Sequence, residues 1–460
     1  IITYSYVSRI LEADGIGRIS FAKSIIGIFA MISMLGIRYY GIRECAKRRD
    51  DRRELSRIFS ELLVLNLIFT FFAYVFLAVF LCLSAKADGY RTEIGLYGIT
   101  ILLSVLSIEW MFVAVEDYRY LAVRSIVIQF ASLLAVFLLV HRKEDLSLYI
   151  LIQVISAGLA NLSGLMYVKK YTGFQMPRLS GLCVHMRPIL SLFLVTMFIQ
   201  IFTEMDTVML GYLSDDTEVG LYSSAYKISA VLCSFISAVT TVILPRMAYV
   251  LQNEDETKAH DLLKKAVQFI LMVGIPISAG SCIFSRNFVL ILSGKGFINA
   301  VPSAMILSFR TLLSPVNGML LMHYLIPRNK EREAIIITMV TALFNIIVNM
   351  ALIPLLGARG AAISTVCSEI TEMICLFVFV RKYLDMKNIF GKGYQYLLCV
   401  IPVVIVSLGA AGLIDSIFLS VVVAVTVSVP VYFILLYRMR NACLLDGLNM
   451  IRELRKKKRA

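Results

Sequence analysis

Thirteen long apolar stretches follow one another along this chain of 460 residues. Each is long enough to be a membrane-spanning helix, which needs about 20 apolar residues. Hydrophobic residues make up 59% of the chain and charged residues only 17%, and no soluble domain has an interior large enough for so many apolar side chains. The sequence therefore predicts an all-α polytopic membrane protein. It excludes a disordered chain, a disulfide-stabilised secreted domain and nucleic acid as the main partner.

The predicted spans are separated by short connections. They are expected at 19–41, 58–83, 96–115, 121–140, 148–168, 188–213, 220–244, 267–284, 303–326, 335–355, 360–380, 395–414 and 416–437. The first seven residues are too few for a signal peptide, and we interpret them as the end of a helix that begins upstream. With that truncated helix the chain would have about fourteen spans.

Positive charge is unequally distributed between the two faces that alternating spans define. The loops that share a face with the C-terminal tail, and the tail itself, carry 32 of the 45 Lys and Arg residues, whereas the opposite face carries 9. Because loops rich in Lys and Arg stay in the cytoplasm, we expect a cytoplasmic C-terminus with a basic tail at 438–460. The outer loops are too short for a folded domain, so any activity is expected inside the helical bundle.

Two short segments of the chain resemble each other. IGRISFAKSI at 16–25 aligns with VGLYSSAYKI at 219–228 when Gly17 is set on Gly220, an offset of 203 residues. Each segment follows a short polar outer loop and begins a span that runs inward. This arrangement indicates parallel repeats related by an axis along the membrane normal, with the substrate path between two lobes. Chance similarity between apolar segments is the alternative.

Motifs for enzymatic chemistry are not found in the sequence. The nine cysteines have no CxxC spacing, the four histidines form no HExxH pair, and there is no Walker loop and no GxSxG elbow. We therefore predict no catalytic residue, no metal site and no cofactor.

Ionisable residues inside the predicted spans are the main candidates for function, because a charge in the membrane is costly without a partner or water. They are Lys23, Arg38, Glu109, Glu204, Asp206, Lys227, Arg310, Glu369 and Glu372. Arg38 and Glu109 lie close enough to the inner interface to have a structural role.

Depth in the membrane relates several of the other charges. Asp206 and Lys227 lie equally far from the turn between their spans, so we expect them to pair. Lys23 and Arg310 lie at a similar outer depth. Three cations and one or two acids are thus expected in the outer third of a central cavity.

Glu369 and Glu372 are three residues apart and share a helix face near the middle of the membrane. A protonatable acid at this depth can couple movement to a proton gradient. Asp206, Glu369 and Glu372 are therefore candidates for ion coupling or for pairing. For all three acids, the alternative is a structural ion pair with Arg310 or with a helix end.

Several longer segments together resemble a known family. They are YVSRILEADGIGRISFAKSI, MLGIRYYGIRECAKRRDDRRELSRIFSELL, IEWMFVAVEDYRYLAVRS, MDTVMLGYLSDDTEVGLYSSAYKIS and LGARGAAISTVCSEI. In this order they are similar to the Wzx-type oligosaccharide flippases of O-antigen and polysaccharide biosynthesis. These flippases form a branch of the multidrug/oligosaccharidyl-lipid/polysaccharide exporter superfamily, and the resemblance extends over essentially the whole chain.

The resemblance implies two parallel six-helix lobes around a central cavity, at about 1–168 and 188–380, and two additional C-terminal spans at 395–437. It also implies a bacterial cytoplasmic membrane protein that moves undecaprenyl-diphosphate-linked oligosaccharide from the inner to the outer leaflet by alternating access. The expected partners are this lipid-linked oligosaccharide, membrane lipids and a glycan polymerase. Because a diphosphate needs fixed cations in a hydrated cavity, Lys23, Lys227 and Arg310 are the candidate substrate-binding residues.

Two other functions remain open from the sequence. A multidrug cation antiporter of the same superfamily would use Asp206, Glu369 and Glu372 to bind lipophilic cations. A membrane-embedded glycan polymerase or ligase would be an enzyme, and the short outer loops argue against it because such enzymes usually place paired catalytic groups on a sizeable outer loop.

Overall fold

The computed structural model describes residues 2–176, 179–253, 256–328, 330–384, 389–391 and 393–446, with side chains described outside 179–181, 191–192 and 239–256. Within these ranges the chain is helical and contains no β-strand. Residues 447–460 of the predicted basic tail lie outside the described residues. By their internal contacts the helices form two compact units, Ile1–Gly220 and Leu221–Ala460.

Twelve helices among the described residues are long and apolar enough to cross a membrane. The count rises to 13 if Lys295–Leu307 and Arg310–Arg328, which are bent by 47° at a short break, form one span. This bent pair lies where the span 303–326 is predicted. The structure thus confirms the prediction of an all-α polytopic membrane protein.

The first unit contains eight complete helices and the beginning of a ninth. They are α1 (Ile2–Met34), α2 (Ile37–Ala46), α3 (Arg52–Leu83), α4 (Arg91–Ser104), α5 (Glu109–Ala114), α6 (Tyr118–Leu139), α7 (Leu146–Tyr167), α8 (Leu179–Leu213) and the start of α9 (Asp216–Asn253). Helix α1 is central, because α3, α4 and α8 all pack against it. Helix α8 contains the predicted span 188–213, which was expected to begin the second lobe. The proposed lobe boundaries therefore stay a prediction.

The first predicted span is broken near its end. Helix α1 ends at Met34, and Leu35 and Gly36 have φ angles of 30° and 77° before α2 begins. Glycine adopts such angles readily, whereas a leucine is strained there. The break allows α2 to pack on α5, where a Cβ atom on Gly41 would lie 2.6 Å from the ring of Trp110.

The two glycines aligned by the internal repeat make a reciprocal contact. A Cβ atom on Gly17 would overlap the carbonyl oxygen of Asp216, and a Cβ atom on Gly220 would overlap the carbonyl oxygen of Ala13. The repeat offset places Gly17 on Gly220 and Ala13 on Asp216. The same contact is therefore made twice, each time by corresponding residues of the repeat.

The second unit continues α9 and adds eight helices. They are α10 (Glu256–Ile283), α11 (Ser285–Leu292), α12 (Val301–Leu307), α13 (Arg310–Leu320), α14 (Glu331–Leu356), α15 (Ala358–Val380), α16 (Tyr394–Leu413) and α17 (Ile417–Arg438). Helices α14 and α15 form a hairpin, as do α16 and α17, and α10 packs against both α13 and α16. Helices α16 and α17 lie where the two additional C-terminal spans are predicted.

Polar side chains connect helices inside each unit. In the first unit, the Asn161 side-chain amide donates to the Leu103 carbonyl at 2.8 Å, joining α7 to α4. In the second, the Asn345 amide lies 3.3 Å from the hydroxyl oxygen of Ser364 and joins α14 to α15. The outer surfaces of the units are strongly apolar. In α6, for instance, only Val136 of the 22 residues is buried. Such a surface is suited to contact with lipid.

Candidate functional site

The break between α12 and α13 places a charged residue inside the second unit. Arg310 is the first residue of α13, directly after the bend. The carbonyl groups at the break keep hydrogen-bond partners, because the hydroxyl of Ser278 donates to Ser308 at 2.8 Å and the thiol of Cys233 donates to Arg310 at 3.8 Å. Broken helices with satisfied backbone groups are a common way to build polar sites at membrane depth.

The side chain of Arg310 is surrounded by polar groups. Its Nε lies 3.3 Å from Oε1 of Glu369, and its side chain is 12% exposed. Its Nη2 donates to the hydroxyl of Tyr226 at 3.1 Å, and the guanidinium carbon lies 4.6 Å from the centre of the Tyr226 ring. The guanidinium thus has an anion on one side and an aromatic face on another, both of which stabilise a buried cation.

Asn317 connects the two glutamates of α15. Its side-chain amide donates to Oε2 of Glu369 at 2.9 Å and lies 3.4 Å from Oε2 of Glu372. Both glutamates are buried. If both were ionised beside the single guanidinium of Arg310, the three groups would carry a net negative charge in a medium of low polarity. A proton shared within this cluster would remove that charge.

The cluster of Arg310, Asn317, Glu369 and Glu372 with Tyr226 can therefore exist with and without a bound proton. It can also exchange partners, because a guanidinium forms bidentate contacts with phosphate as readily as with carboxylate. These two properties are those expected of a site that binds a phosphate group and senses a proton.

Lys23 lies in the first unit and its side chain is exposed. Glu204 of α8 interacts electrostatically with Lys23 and accepts a hydrogen bond from Gln200 at 3.0 Å. A Cβ atom on Gly27 of α1 would lie 3.6 Å from the Glu204 carboxyl carbon. The absence of a side chain at Gly27 thus leaves space for this carboxylate next to α1.

The other predicted site residues are placed as follows. Lys227 is exposed on α9, and Asp206 is buried on α8 with a relative exposure of 1%. Lys23 and Asp206 belong to the first unit, whereas Lys227 and Arg310 belong to the second. The predicted pairing of Asp206 with Lys227, and the cavity shared by the three cations, stay predictions.

Glu109 has the structural role expected for it. Its carboxylate lies 2.8 Å from Nη2 of Arg124, which joins the start of α5 to α6. No group of His, Cys, Asp and Glu residues suitable for a metal ion occurs in the part of the chain that the structure describes.

Sequence reasoning did not identify Asn317 or Tyr226. Asn317 follows Arg310 by seven residues, two helical turns, and therefore lies on the same side of α13. That spacing was an available signal. No sequence signal pointed to Tyr226, because its contact with Arg310 joins helices that are distant in the sequence.

Comparison with known proteins places these observations in a family. Residues 1–251 match the family model described as "Polysaccharide biosynthesis protein". The chain is 22% identical over 383 residues to a protein named "Putative O-antigen transporter" from Escherichia coli strain K12, which covers 83% of this chain and 92% of the relative. It is 23% identical over 188 residues to the "Probable low-salt glycan biosynthesis flippase Agl15" of Haloferax volcanii, which covers 40% of this chain and 39% of the relative.

Two solved structures have a similar fold. The lipid II flippase MurJ in an inward closed conformation has a TM-score of 0.66 and 13% identity, and the match covers 91% of this chain and 96% of MurJ. A multidrug resistance MATE family transporter in an inward-facing conformation has a TM-score of 0.63 and 14% identity, with coverage of 83% and 94%. The family match extends over more than half of the sequence, and the chain therefore belongs to the polysaccharide biosynthesis protein family of multi-pass membrane proteins.

Proposed function

We propose that this protein is a flippase that moves undecaprenyl-diphosphate-linked oligosaccharide from the inner to the outer leaflet of the bacterial cytoplasmic membrane by alternating access. Membership of the polysaccharide biosynthesis family supports this function, as do relatives named as transporters and flippases rather than catalysts. The C-terminus is cytoplasmic, because the loops on its side carry most of the Lys and Arg residues. A glycan polymerase that uses the delivered oligosaccharide is the expected partner.

The observation that carries this proposal is the position of Arg310 at the break of a bent span. A diphosphate cannot cross hydrocarbon without a cation, whereas the polyprenyl chain can remain in lipid. Arg310 supplies such a cation in the interior of the second unit, and Lys23 and Lys227 contribute further positive charge. The oligosaccharide itself is hydrated and needs only a polar path.

Glu369 provides a means of coupling this site to protons. While Glu369 is ionised it pairs with Arg310 at 3.3 Å and competes with any phosphate. A proton on Glu369 removes this competition and leaves Arg310 free to bind the diphosphate. Glu372 lies against the same Asn317 amide and is a second carboxylate of the cluster that can hold the proton. Asp206 is a second buried acid that contributes to coupling or pairs with Lys227.

The function is tested by neutralising the cations in cells that depend on this protein for surface glycan. Arg310→Gln and Lys227→Gln are expected to abolish surface glycan and to leave lipid-linked oligosaccharide on the inner leaflet, because the diphosphate loses its partner. Arg310→Lys retains the charge and should keep part of the activity. Arg359→Gln, which changes an exposed arginine of α15, is the matched control and should behave as the wild type.

Surface glycan is measured by antibody or lectin on intact cells, and protein levels by immunoblot of the membranes. Wild-type glycan in both the Arg310→Gln and Lys227→Gln strains would remove these residues from the mechanism. The similarity in fold to a multidrug transporter favours one second candidate, an exporter of lipophilic cations. Resistance to cationic dyes without any defect in precursor crossing would support that exporter. Altered glycan chain length with normal precursor crossing would point to a polymerase or ligase.

A further inference from the structure

A buried histidine lies between an acid and a phenol in the first unit. His185 of α8 has its Nε2 atom 2.8 Å from Oε2 of Glu61 on α3, and its Nδ1 atom 2.7 Å from the hydroxyl of Tyr40 on α2. The relative exposures of the three residues are 7%, 4% and 4%. This triad of Tyr40, Glu61 and His185 joins three helices through titratable groups, and none of the three residues has a role in the flippase proposal.

The triad borders a polar pocket of about 950 Å³ that is formed entirely by the first unit. Tyr40 also belongs to a buried apolar cluster that includes Leu62 of α3 and Ile189 of α8. The triad therefore lies between this apolar cluster and the pocket, and water in the pocket can reach it. Such an arrangement suits a buried group that exchanges protons with solvent.

Charged residues of α2, of its connection to α3 and of α3 face the pocket or the triad. On α2 they are Arg43 and Glu44, in the connection to α3 Arg48 and Asp51, and on α3 Arg53, Glu54 and Arg57. Several of these pair with one another: Arg48 lies 2.8 Å from Glu44, and Arg57 lies 2.9 Å from Glu54. Since these pairs neutralise each other's charge, Glu61 and His185 are the groups most directly able to take up a proton at the buried end of the pocket.

The hydrogen bonds of the triad restrict its protonation states. When Glu61 is ionised and His185 neutral, Nε2–H donates to Glu61, so Nδ1 must accept the hydroxyl proton of Tyr40. One additional proton changes this pattern. If it is on His185, Nδ1–H donates to the Tyr40 oxygen. If it is on Oε2 of Glu61, the carboxyl O–H donates to Nε2, and Nδ1 again carries a proton that it donates to Tyr40. In both of these states the direction of the Tyr40 hydrogen bond is reversed.

We propose that Tyr40, Glu61 and His185 form a proton-binding site open to this pocket, and that uptake of one proton reverses the hydrogen bond between α2 and α8. The hydroxyl proton of Tyr40 must then find another acceptor, so α2 is held differently in the two states. Helix α2 can respond because Leu35 and Gly36, with their positive φ angles, separate it from α1.

The fluorescence of a native tryptophan can report a rearrangement of α2. Trp110 is the only tryptophan, and its ring contacts Gly41, the neighbour of Tyr40 on α2. It is 2% exposed, so its emission reflects packing against α2 rather than contact with bulk water. A rearrangement of α2 at Tyr40 should therefore change the emission of Trp110.

The test uses the full chain in lipid nanodiscs without any substrate, so its result is independent of what the protein transports. Tryptophan emission is recorded between about pH 5 and pH 8, where imidazole groups exchange protons. Proton uptake after an acid pulse is followed in parallel with a pH indicator. The wild type should change its emission with pH and take up one more proton per chain than the double variant Glu61→Gln/His185→Gln. That double variant should lose the change in emission.

Two further variants separate proton binding from a structural role. Tyr40→Phe retains Glu61 and His185, so it should take up the proton but show no change in Trp110 emission. His141→Gln removes an exposed imidazole of the same unit and should keep the emission change. The proposal is overturned if wild-type emission is independent of pH, if Tyr40→Phe keeps the full change, or if the double variant folds and takes up as many protons as the wild type.

Discussion

At the scale of single residues, the buried charges of this protein have specific partners on other helices. Arg310 of α13 is 3.3 Å from Glu369 of α15, and Asn317 holds both Glu369 and Glu372. The sequence identified the charged residues themselves, because any charge in an apolar stretch is conspicuous. It could not select between ion coupling and pairing for the glutamates. That choice depends on side chains brought together by helix packing.

Substitutions of Glu369 and Glu372 should differ in their effect on the stability of the protein. Glu369→Gln removes the carboxylate next to Arg310 and leaves a buried cation without its nearest anion, which costs about 3–5 kcal/mol in comparable cases. Glu372→Gln keeps that pair and should cost clearly less. The measurement is the thermal midpoint of each purified variant in detergent. Equal losses in the two variants would show that Glu369 is not the main partner of Arg310.

At the scale of elements, the ends and crossings of helices depend on a few side chains and glycines. Asp117 caps α6 by accepting from the Tyr120 backbone N–H at 3.1 Å, and it also accepts from the hydroxyls of Tyr171 and Tyr167 at 2.6 and 3.2 Å. The hydrogen bond from Tyr171 is the main reason that the pKa of Asp117 lies below its ordinary value. This aspartate lies in the connection before α6, outside the spans.

The lowered pKa of Asp117 determines how its contribution depends on pH. A carboxylate with a depressed pKa stabilises the folded state above its unfolded pKa of about 3.9, and the contribution is lost as the pH falls through its folded pKa. Asp117→Ala should therefore lower the thermal midpoint, by the equivalent of about 1 kcal/mol for a lost cap, equally at pH 8 and at pH 5. The difference should shrink only below about pH 4.

Asp415→Ala is the control for this prediction, because Asp415 is an exposed aspartate before α17 that does not serve as its cap. It should leave the midpoint unchanged. An effect of Asp117→Ala that already disappears between pH 8 and pH 5 would contradict the assigned direction of the pKa shift.

The reciprocal contact made by Gly17 and Gly220 leaves no space for a side chain at either position. Gly17→Ala and Gly220→Ala each place a methyl group on a backbone carbonyl, of Asp216 and Ala13 respectively. Overpacking of this kind costs about 1–3 kcal/mol, and because the two contacts are equivalent we expect similar losses. The measurement is again the thermal midpoint in detergent.

Gly95→Ala is the matched control, since Gly95 is a helical glycine with no atom within 4 Å of the added Cβ. Alanine favours a helix over glycine by about 0.5–1 kcal/mol, so this variant should be as stable as the wild type or more stable. A neutral result for Gly17→Ala would mean that the contact between Gly17 and the backbone at Asp216 is looser than the structure indicates.

At the scale of the whole molecule, the distribution of basic residues should determine orientation in the membrane. In a variant free of native cysteines, a single cysteine at position 50 should react only with membrane-permeant reagents in intact cells. A cysteine at position 215 should react with impermeant ones. Both residues are exposed, whereas Asp216 is only partly exposed. The opposite labelling would invert the proposed topology and place the C-terminus outside. Position 255, another cytoplasmic position by the same reasoning, lies outside the described residues.

The sequence by itself determined that this is a helical membrane protein and which ionisable residues lie in its apolar stretches; the predicted number of about fourteen spans compares with 12 or 13 among the described residues, and the repeat was a prediction. These properties follow from hydropathy and charge read along the chain, which need no knowledge of distant contacts. Only the tertiary structure decided which charges meet. His185 is 124 residues from Glu61 and 145 from Tyr40, and no local pattern relates side chains so far apart. Their proximity results from packing helices against one another, and that packing turns separate polar residues into sites.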